Sequence, residues 1–131
     1  MSNYKKICII DDDAIAVFGL KRGLQSMKSI PDPLIYENGL QAIEGFKKMI
    51  EEDAELPTFI LLDINMPVMG GWDFISQMNE IWPKDKEKPT IYMMTSSISD
   101  QDVEQARTFN LEKNYLIKPV FAETLVRILL P

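Results

Sequence analysis

The sequence contains no histidine, only one cysteine and no long apolar run, and each absence excludes a class of function. Without histidine the chain cannot use Ser-His or Cys-His catalysis, form a histidine metal site or carry phosphohistidine. Cys8 has no partner for an intrachain disulfide, which fits a reducing compartment. The apolar stretch Ile7–Ile10 is too short for a signal peptide or a membrane span, so we expect a cytoplasmic protein with no membrane partner.

Positive charge is also scarce, with 14 Lys and Arg against 20 Asp and Glu and a net charge of −6. Binding to a phosphate backbone needs clustered basic residues, so nucleic acid is not expected as a direct partner. The 131 residues, 46% of them hydrophobic, suffice for one packed core but not for two. We therefore predict a single domain over residues 1–131 with no output domain.

Short apolar runs alternate along the chain with apolar residues at helical spacing. The helical stripes begin near Val17, Ala42 and Trp72, with weaker ones near Val103 and Ala122. Such alternation predicts a doubly wound α/β domain, with a five-stranded parallel sheet covered by helices on both faces. The predicted strands are Ile7–Ile10, Leu34–Tyr36, Phe59–Leu62, Ile91–Met94 and Tyr115–Ile117.

The residues that follow four of the five predicted strands are informative about function. The first strand runs into residues 11–13, three aspartates, the third into Asp63, the fourth into Thr95 and the fifth into Lys118. Ligand sites of parallel sheets lie beyond the carboxyl ends of the strands, so these groups should meet at one edge. Clustered carboxylates repel one another unless a cation compensates them, and Mg²⁺ with a phosphate oxygen suits a shallow crevice. The pattern therefore predicts Mg²⁺-dependent phosphoryl chemistry, with Asp63 as the nucleophile.

Some of these residues also have an ordinary structural explanation. An acid directly after Phe-Ile-Leu-Leu would be costly to bury without a task, which favours function for Asp63. Asp13 is better explained as the N-cap of the first helix than as a metal ligand. Periodicity alone leaves open which two members of the Asp11, Asp12 and Asp13 triplet form the acidic pair. Ser99 and Asp102 have the spacing of a capping box at the start of the fourth helix.

Four motifs occur in an order and at separations that resemble the receiver domains of two-component response regulators, a family with the flavodoxin-like fold. They are IIDDD from Ile9, LLDINMPVMGG from Leu61, YMMTSS from Tyr92 and YLIKP from Tyr115. The resemblance implies strand order 2-1-3-4-5 and transfer of a phosphoryl group from a phosphohistidine to Asp63.

The resemblance also implies roles for individual residues. Asp11 and Asp12 match the acidic pair that binds Mg²⁺ together with Asp63, with Asp12 as a direct ligand and Asp11 acting largely through water. Asn65 matches the position whose backbone carbonyl completes the metal shell. The side chains of Asn65 and Ser97 occupy positions that tune the lifetime of the phosphoryl group.

The remaining matches concern the switch that follows phosphorylation. Lys118 resembles the lysine that pairs with the phosphoryl oxygens, Thr95 the hydroxyl that moves to meet them, and Tyr115 the aromatic residue that then turns inward. The Lys118-Pro119 bond is expected to be cis. Gly70 departs from the family pattern, which often has an acidic residue there before the glycine matched by Gly71.

We therefore expect a stand-alone switch rather than an enzyme with a separate turnover substrate. Its expected partners are a sensor histidine kinase or a histidine phosphotransfer protein, and an unknown downstream protein that reads the switch or receives the phosphoryl group in a relay. A haloacid-dehalogenase-type phosphatase is an alternative, but that motif needs a second aspartate where this chain has Asn65. An unphosphorylated scaffold of receiver shape is disfavoured by the presence of Asp12, Asp63, Thr95 and Lys118.

Overall fold

Five strands alternate with five helices in the computed structural model, which describes residues 6–28 and 30–130. The ends of the predicted domain, residues 1–5 and 131, lie outside the described residues. The elements are β1 Ile7–Ile10, α1 Ala14–Gln25, β2 Leu34–Tyr36, α2 Gly39–Glu51, β3 Phe59–Asp63, α3 Gly71–Ile81, β4 Thr90–Thr95, α4 Asp100–Thr108, β5 Tyr115–Ile117 and α5 Ala122–Leu129.

The strands form one sheet in the order β2-β1-β3-β4-β5, and every neighbouring pair is parallel. The doubly wound fold and its predicted strand order are confirmed. Strands β1 and β3 are apolar almost throughout because both of their faces are covered. Ile10 pairs with Leu62 and Thr95 with Ile117, so neighbouring strands end nearly level and the residues that follow share one edge.

Each face of the sheet carries its own hydrophobic core. Phe46 of α2 and Phe74 of α3 pack on one face, and Leu24 of α1 and Leu125 of α5 pack on the other. The predicted stripes supply most of these contacts, as expected for amphipathic helices over a buried sheet. Trp72 lies only partly buried at the edge of the core that contains Phe46 and Phe74.

The helix starts follow local hydrogen bonding. Asp13 caps α1 by accepting from the backbone N–H groups of Ile15 and Ala16, which confirms its predicted structural role. Ser99 and Asp102 form the predicted capping box of α4. Helix α3 begins after Gly70 and has no side-chain cap. None of the helices in the described part of the chain is long and apolar enough to cross a membrane.

Candidate functional site

Asp63 is the last residue of β3 and is only 5% exposed to solvent. Its Oδ1 accepts a hydrogen bond from the backbone N–H of Asn65 at 3.2 Å. The segment after it passes close to the start of α3, where the N–H of Gly71 donates to the carbonyl of Ile64 at 2.9 Å. A Cβ atom at Gly71 would lie 2.9 Å from the Cα of Ile64, so only glycine fits this approach without movement. Asp63 is thus held by a strand and a tight turn.

Lys118, directly after β5, reaches across the edge of the sheet to two carboxylates. Its Nζ lies 2.9 Å from Oδ2 of Asp11 and 3.4 Å from Oδ2 of Asp63. Asp11 is 1% exposed, and its Oδ1 accepts from the N–H of Asp13 at 2.9 Å. The peptide bond between Lys118 and Pro119 is cis, as expected from the family resemblance. One ammonium group therefore pairs with two buried acids that come from different strands.

This arrangement perturbs the protonation of both partners. Burial, followed by the charge of Asp11, raises the pKa of Asp63 to about 6, although Lys118 and the Asn65 N–H act in the opposite direction. For Lys118, burial alone would lower the pKa, but hydrogen bonding and attraction from Asp11 and Asp63 outweigh it, and the pKa is raised. Burial and a neighbouring acid destabilise the charged form of Asp63, so a bound cation would be favourable at this position.

The acidic residues are arranged so that a metal ion fits. Ligand oxygens of Asp11, Asp12 and Asp63 all lie within 4.8 Å of one another. Apart from its ion pair with Lys118, Asp11 Oδ2 is buried without a hydrogen-bond partner among the described residues. Asp12 is exposed, whereas Asp13 is engaged in capping α1. Of the triplet, Asp11 and Asp12 therefore lie where they could hold a metal ion together with Asp63, and the oxygen donors suit a hard cation.

Thr95, at the end of β4, is 1% exposed and lies beside β5. Its hydroxyl donates to the carbonyl of Ser97 at 2.6 Å, and the N–H of Ser97 lies 3.3 Å from the Thr95 oxygen. The N–H of Lys118 donates to the Thr95 carbonyl at 2.8 Å, which ties the two strand ends together. In this structure the Thr95 hydroxyl is thus used to shape the loop that leads into α4.

The other predicted residues lie around this centre. Asn65 and Ser97 are exposed on the two loops that follow β3 and β4. Tyr115 begins β5, and its hydroxyl donates to the backbone carbonyl of Asp102 on α4 at 2.6 Å. The structure therefore brings Asp11, Asp12, Asp63 and Lys118 into one cluster and directs Tyr115 towards α4.

One pair of residues at the margin of the site was not predicted from the sequence. The indole N–H of Trp72 donates to Oδ1 of Asp102 at 3.0 Å, and the Trp72 ring stacks on Phe109. The helical stripe that begins at Trp72 predicts core packing for this residue, and the spacing of Ser99 and Asp102 predicts a helix cap. Both interpretations hold in part, but helical periodicity carries no information on which helices lie side by side.

Known proteins resemble this chain in sequence and in fold. The family profile described as "Response regulator receiver domain" matches residues 7–130. The transcriptional regulatory protein PrrA of Mycobacterium tuberculosis is 28% identical over 127 residues, covering 94% of this chain but 48% of PrrA. The chain thus spans about half the length of such curated relatives.

Solved structures share the fold along nearly all of the chain. A two-component response regulator from Legionella pneumophila has a TM-score of 0.79 at 23% identity, with 94% of this chain and 93% of that one covered. A response regulator from Cytophaga hutchinsonii has a TM-score of 0.76 at 26% identity, with 94% and 92% covered. Because the profile match covers nearly the whole chain and the fold is that of these regulators, the chain belongs to the family of response regulator receiver domains.

Proposed function

We propose that the chain is a phosphorylation switch in which Asp63 accepts a phosphoryl group from the phosphohistidine of a kinase or a phosphotransfer protein. The observation that carries the proposal is the position of Asp63: buried, next to two further carboxylates, and paired with Lys118. An Asp63 oxygen attacks phosphorus, the P–N bond to the donor imidazole breaks, and the imidazole leaves with the electron pair and takes up a proton. The product is an aspartyl phosphate.

Mg²⁺ is the proposed cation, held by Asp11, Asp12 and Asp63 with the backbone carbonyl of Asn65. When bound, it neutralises the charge of the carboxylates and of the phosphoryl oxygens. The chain's own residues supply the rest. Lys118 is already positioned 3.4 Å from an Asp63 oxygen and would pair with a phosphoryl oxygen after transfer.

The switching step is proposed to start at Thr95. In this structure the Thr95 hydroxyl donates to the backbone carbonyl of Ser97. A phosphoryl oxygen on Asp63 would be a charged and therefore stronger acceptor for the same hydroxyl. If the hydroxyl changes partner, the loop before α4 loses a hydrogen bond and Tyr115 can turn inward. The phosphoryl group thus biases two conformations by binding one of them better.

Two uses of the signal are compatible with this site. The switched surface is read by a separate protein, or the phosphoryl group passes onward to the histidine of a relay protein. Incubation of the phosphorylated chain with a histidine phosphotransfer protein separates them, since only a relay moves the phosphoryl group to that protein.

We further propose that the chain has no separate turnover substrate, because the exposed Asn65 side chain cannot act as a general acid. Steady hydrolysis of p-nitrophenyl phosphate with Mg²⁺ would contradict this.

The main experiment measures intact mass after incubation with acetyl phosphate, with Mg²⁺ or with EDTA. We expect the added mass of a single phosphoryl group on the wild-type protein with Mg²⁺, and none with EDTA or on Asp63→Asn. In this reaction the P–O bond of acetyl phosphate breaks and acetate leaves.

Asp13→Asn is the matched control for Asp63→Asn. It removes a carboxylate from the same edge of the sheet, yet asparagine is as good an N-cap as aspartate, so α1 should stay intact. This variant should be phosphorylated like the wild type. An adduct that survives Asp63→Asn, or that forms equally well in EDTA, would exclude the proposed site.

A further inference from the structure

Asp102, on the first turn of α4, hydrogen-bonds to the two elements on either side of this helix. Its Oδ1 accepts from the indole N–H of Trp72 on α3 at 3.0 Å, and its backbone carbonyl accepts from the Tyr115 hydroxyl on β5 at 2.6 Å. Its Oδ2 lies 3.3 Å from the N–H of Ser99 in the capping box. A single residue therefore joins α3, α4 and β5.

Helix α4 buries little apolar surface of its own. Ala106 is the buried residue among the nine of α4, and the mean hydropathy of the helix is low because most of its residues are polar. A helix with such a small apolar face gains little from the hydrophobic effect. Hydrogen bonds from its neighbours, one of them to a charged carboxylate, then make up a large share of what determines its position.

The connection between the proposed phosphorylation site and Asp102 is short. The Thr95 hydroxyl shapes the loop that leads to Ser99, where α4 is capped. Release of that hydroxyl from the Ser97 carbonyl would let the start of α4 shift. Asp102 lies in this first turn, so any such shift changes its distances to Trp72 and Tyr115.

We propose that Asp102 is a positioning residue, and that its hydrogen bonds with Trp72 and Tyr115 hold α4 in the unphosphorylated arrangement and are given up when Asp63 is phosphorylated. The inference rests on the proposed function and deepens it, because it assigns two residues, Trp72 and Asp102, to the regulation of the same site. The burial of Tyr115 and the charge of Asp102 both raise the pKa of the Tyr115 hydroxyl, which keeps it a donor.

The two tryptophans of the chain should respond differently to phosphorylation. Trp82, at the end of α3, also donates its indole N–H, but to the carbonyl of Glu87 at 3.1 Å, away from α4. Indole N–H signals in ¹⁵N-labelled protein report on both. On addition of acetyl phosphate and Mg²⁺, we expect the Trp72 signal to shift away from that of a hydrogen-bonded indole, and the Trp82 signal to stay.

Trp72→Phe tests the coupling, because it removes the N–H donor and keeps a six-membered ring that can stack on Phe109. Contacts that favour the unphosphorylated state oppose phosphorylation, so their loss should raise the rate of phosphorylation by acetyl phosphate roughly three- to tenfold. Asp102→Ala should act in the same direction. Trp82→Phe removes a comparable indole hydrogen bond elsewhere and should leave the rate unchanged, even where it lowers stability.

The outcomes separate this inference from the function on which it rests. If the wild-type protein is phosphorylated but the Trp72 signal does not move and Trp72→Phe reacts at the wild-type rate, the inference is wrong and the proposed function stands. A slower reaction of Trp72→Phe also overturns it, since the contact would then belong to the phosphorylated state. If the wild-type protein takes up no phosphoryl group, the proposed function fails and the inference fails with it.

Discussion

At the scale of single residues, burial and the neighbouring Asp11 make the charged form of Asp63 unfavourable in the metal-free protein. Its pKa is raised to about 6, above that of an exposed aspartate near 3.8, so the folded state holds the proton more tightly than the unfolded state. Stability contributed by this group is therefore present at low pH and is lost as the pH rises from about 4 to about 6. Above that range a constant penalty remains.

We expect Asp63→Asn to be more stable than the wild type in EDTA at pH 7.5, by about 1 to 3 kcal/mol, because it removes the buried charge. The difference should shrink towards pH 4, where the wild-type carboxyl group is protonated in the folded state. Urea denaturation of both proteins at several pH values measures the two free energies of unfolding.

Asp73→Asn is a suitable control for this comparison, since Asp73 is exposed on the first turn of α3. Its difference from the wild type should not follow the same pH dependence. An Asp63→Asn protein that is equally stable or less stable at pH 7.5 would show that Lys118 compensates the Asp63 charge fully.

At the scale of secondary-structure elements, the start of α3 carries two adjacent glycines with different surroundings. Gly70 is the N-cap, with extended backbone and no side chain to accept from the first helical N–H groups. Among the described residues, a Cβ atom there would meet only the Ile64 carbonyl oxygen, at 3.4 Å. At Gly71 a Cβ atom would lie 2.9 Å from the Ile64 Cα and 3.0 Å from the Asp63 carbonyl oxygen, both on the backbone.

Gly70→Ser should therefore stabilise the protein by about 0.5 to 1 kcal/mol, through a capping hydrogen bond and a less flexible unfolded chain. Gly71→Ala should destabilise it by about 1 to 3 kcal/mol and slow phosphorylation, because the strand end that carries Asp63 must move. Thermal unfolding and the mass assay measure the two effects. Equal effects at both positions would mean that the close approach at Gly71 is unimportant.

At the scale of the whole molecule, binding of Mg²⁺ should be coupled to global stability. A ligand that binds only the folded state adds about 1.4 kcal/mol at ten times its dissociation constant and about 2.7 kcal/mol at one hundred times. We expect the unfolding temperature of the wild-type protein to rise with Mg²⁺ concentration. The effect follows from relief of repulsion among Asp11, Asp12 and Asp63.

Asp12→Asn should abolish most of this increase while changing the metal-free stability little, because the Asp12 side chain is exposed. Asp13→Asn should keep the increase, since its carboxylate is engaged with the N–H groups of α1. Calorimetric scans of the three proteins with and without Mg²⁺ test the assignment of the acidic pair. The reverse result would place the metal on Asp13.

Much of the architecture was predictable because it depends on local pattern. Apolar runs such as Phe59–Leu62 are typical of strands that are buried on both faces of a sheet. Because these strands alternate with helices, each helix crosses over between two strands, and the strands are then parallel. The structure extends β3 by one residue to Asp63 and β4 by one residue at each end, to Thr90 and Thr95. The helix caps at Asp13 and Ser99 were predictable for the same reason: their hydrogen bonds join residues within one turn.

The sequence by itself determined that carboxylates, a hydroxyl and an ammonium group follow successive strands, and hence that they meet at one edge of the sheet. Only the tertiary structure decided that Asp11 rather than Asp13 joins Lys118 and Asp63, that Ser97 holds the Thr95 hydroxyl, and that Trp72 contacts Asp102. The reason is physical. Burial follows from the pattern of the chain, whereas hydrogen bonds between distant segments depend on distances and angles that exist only once the helices have packed.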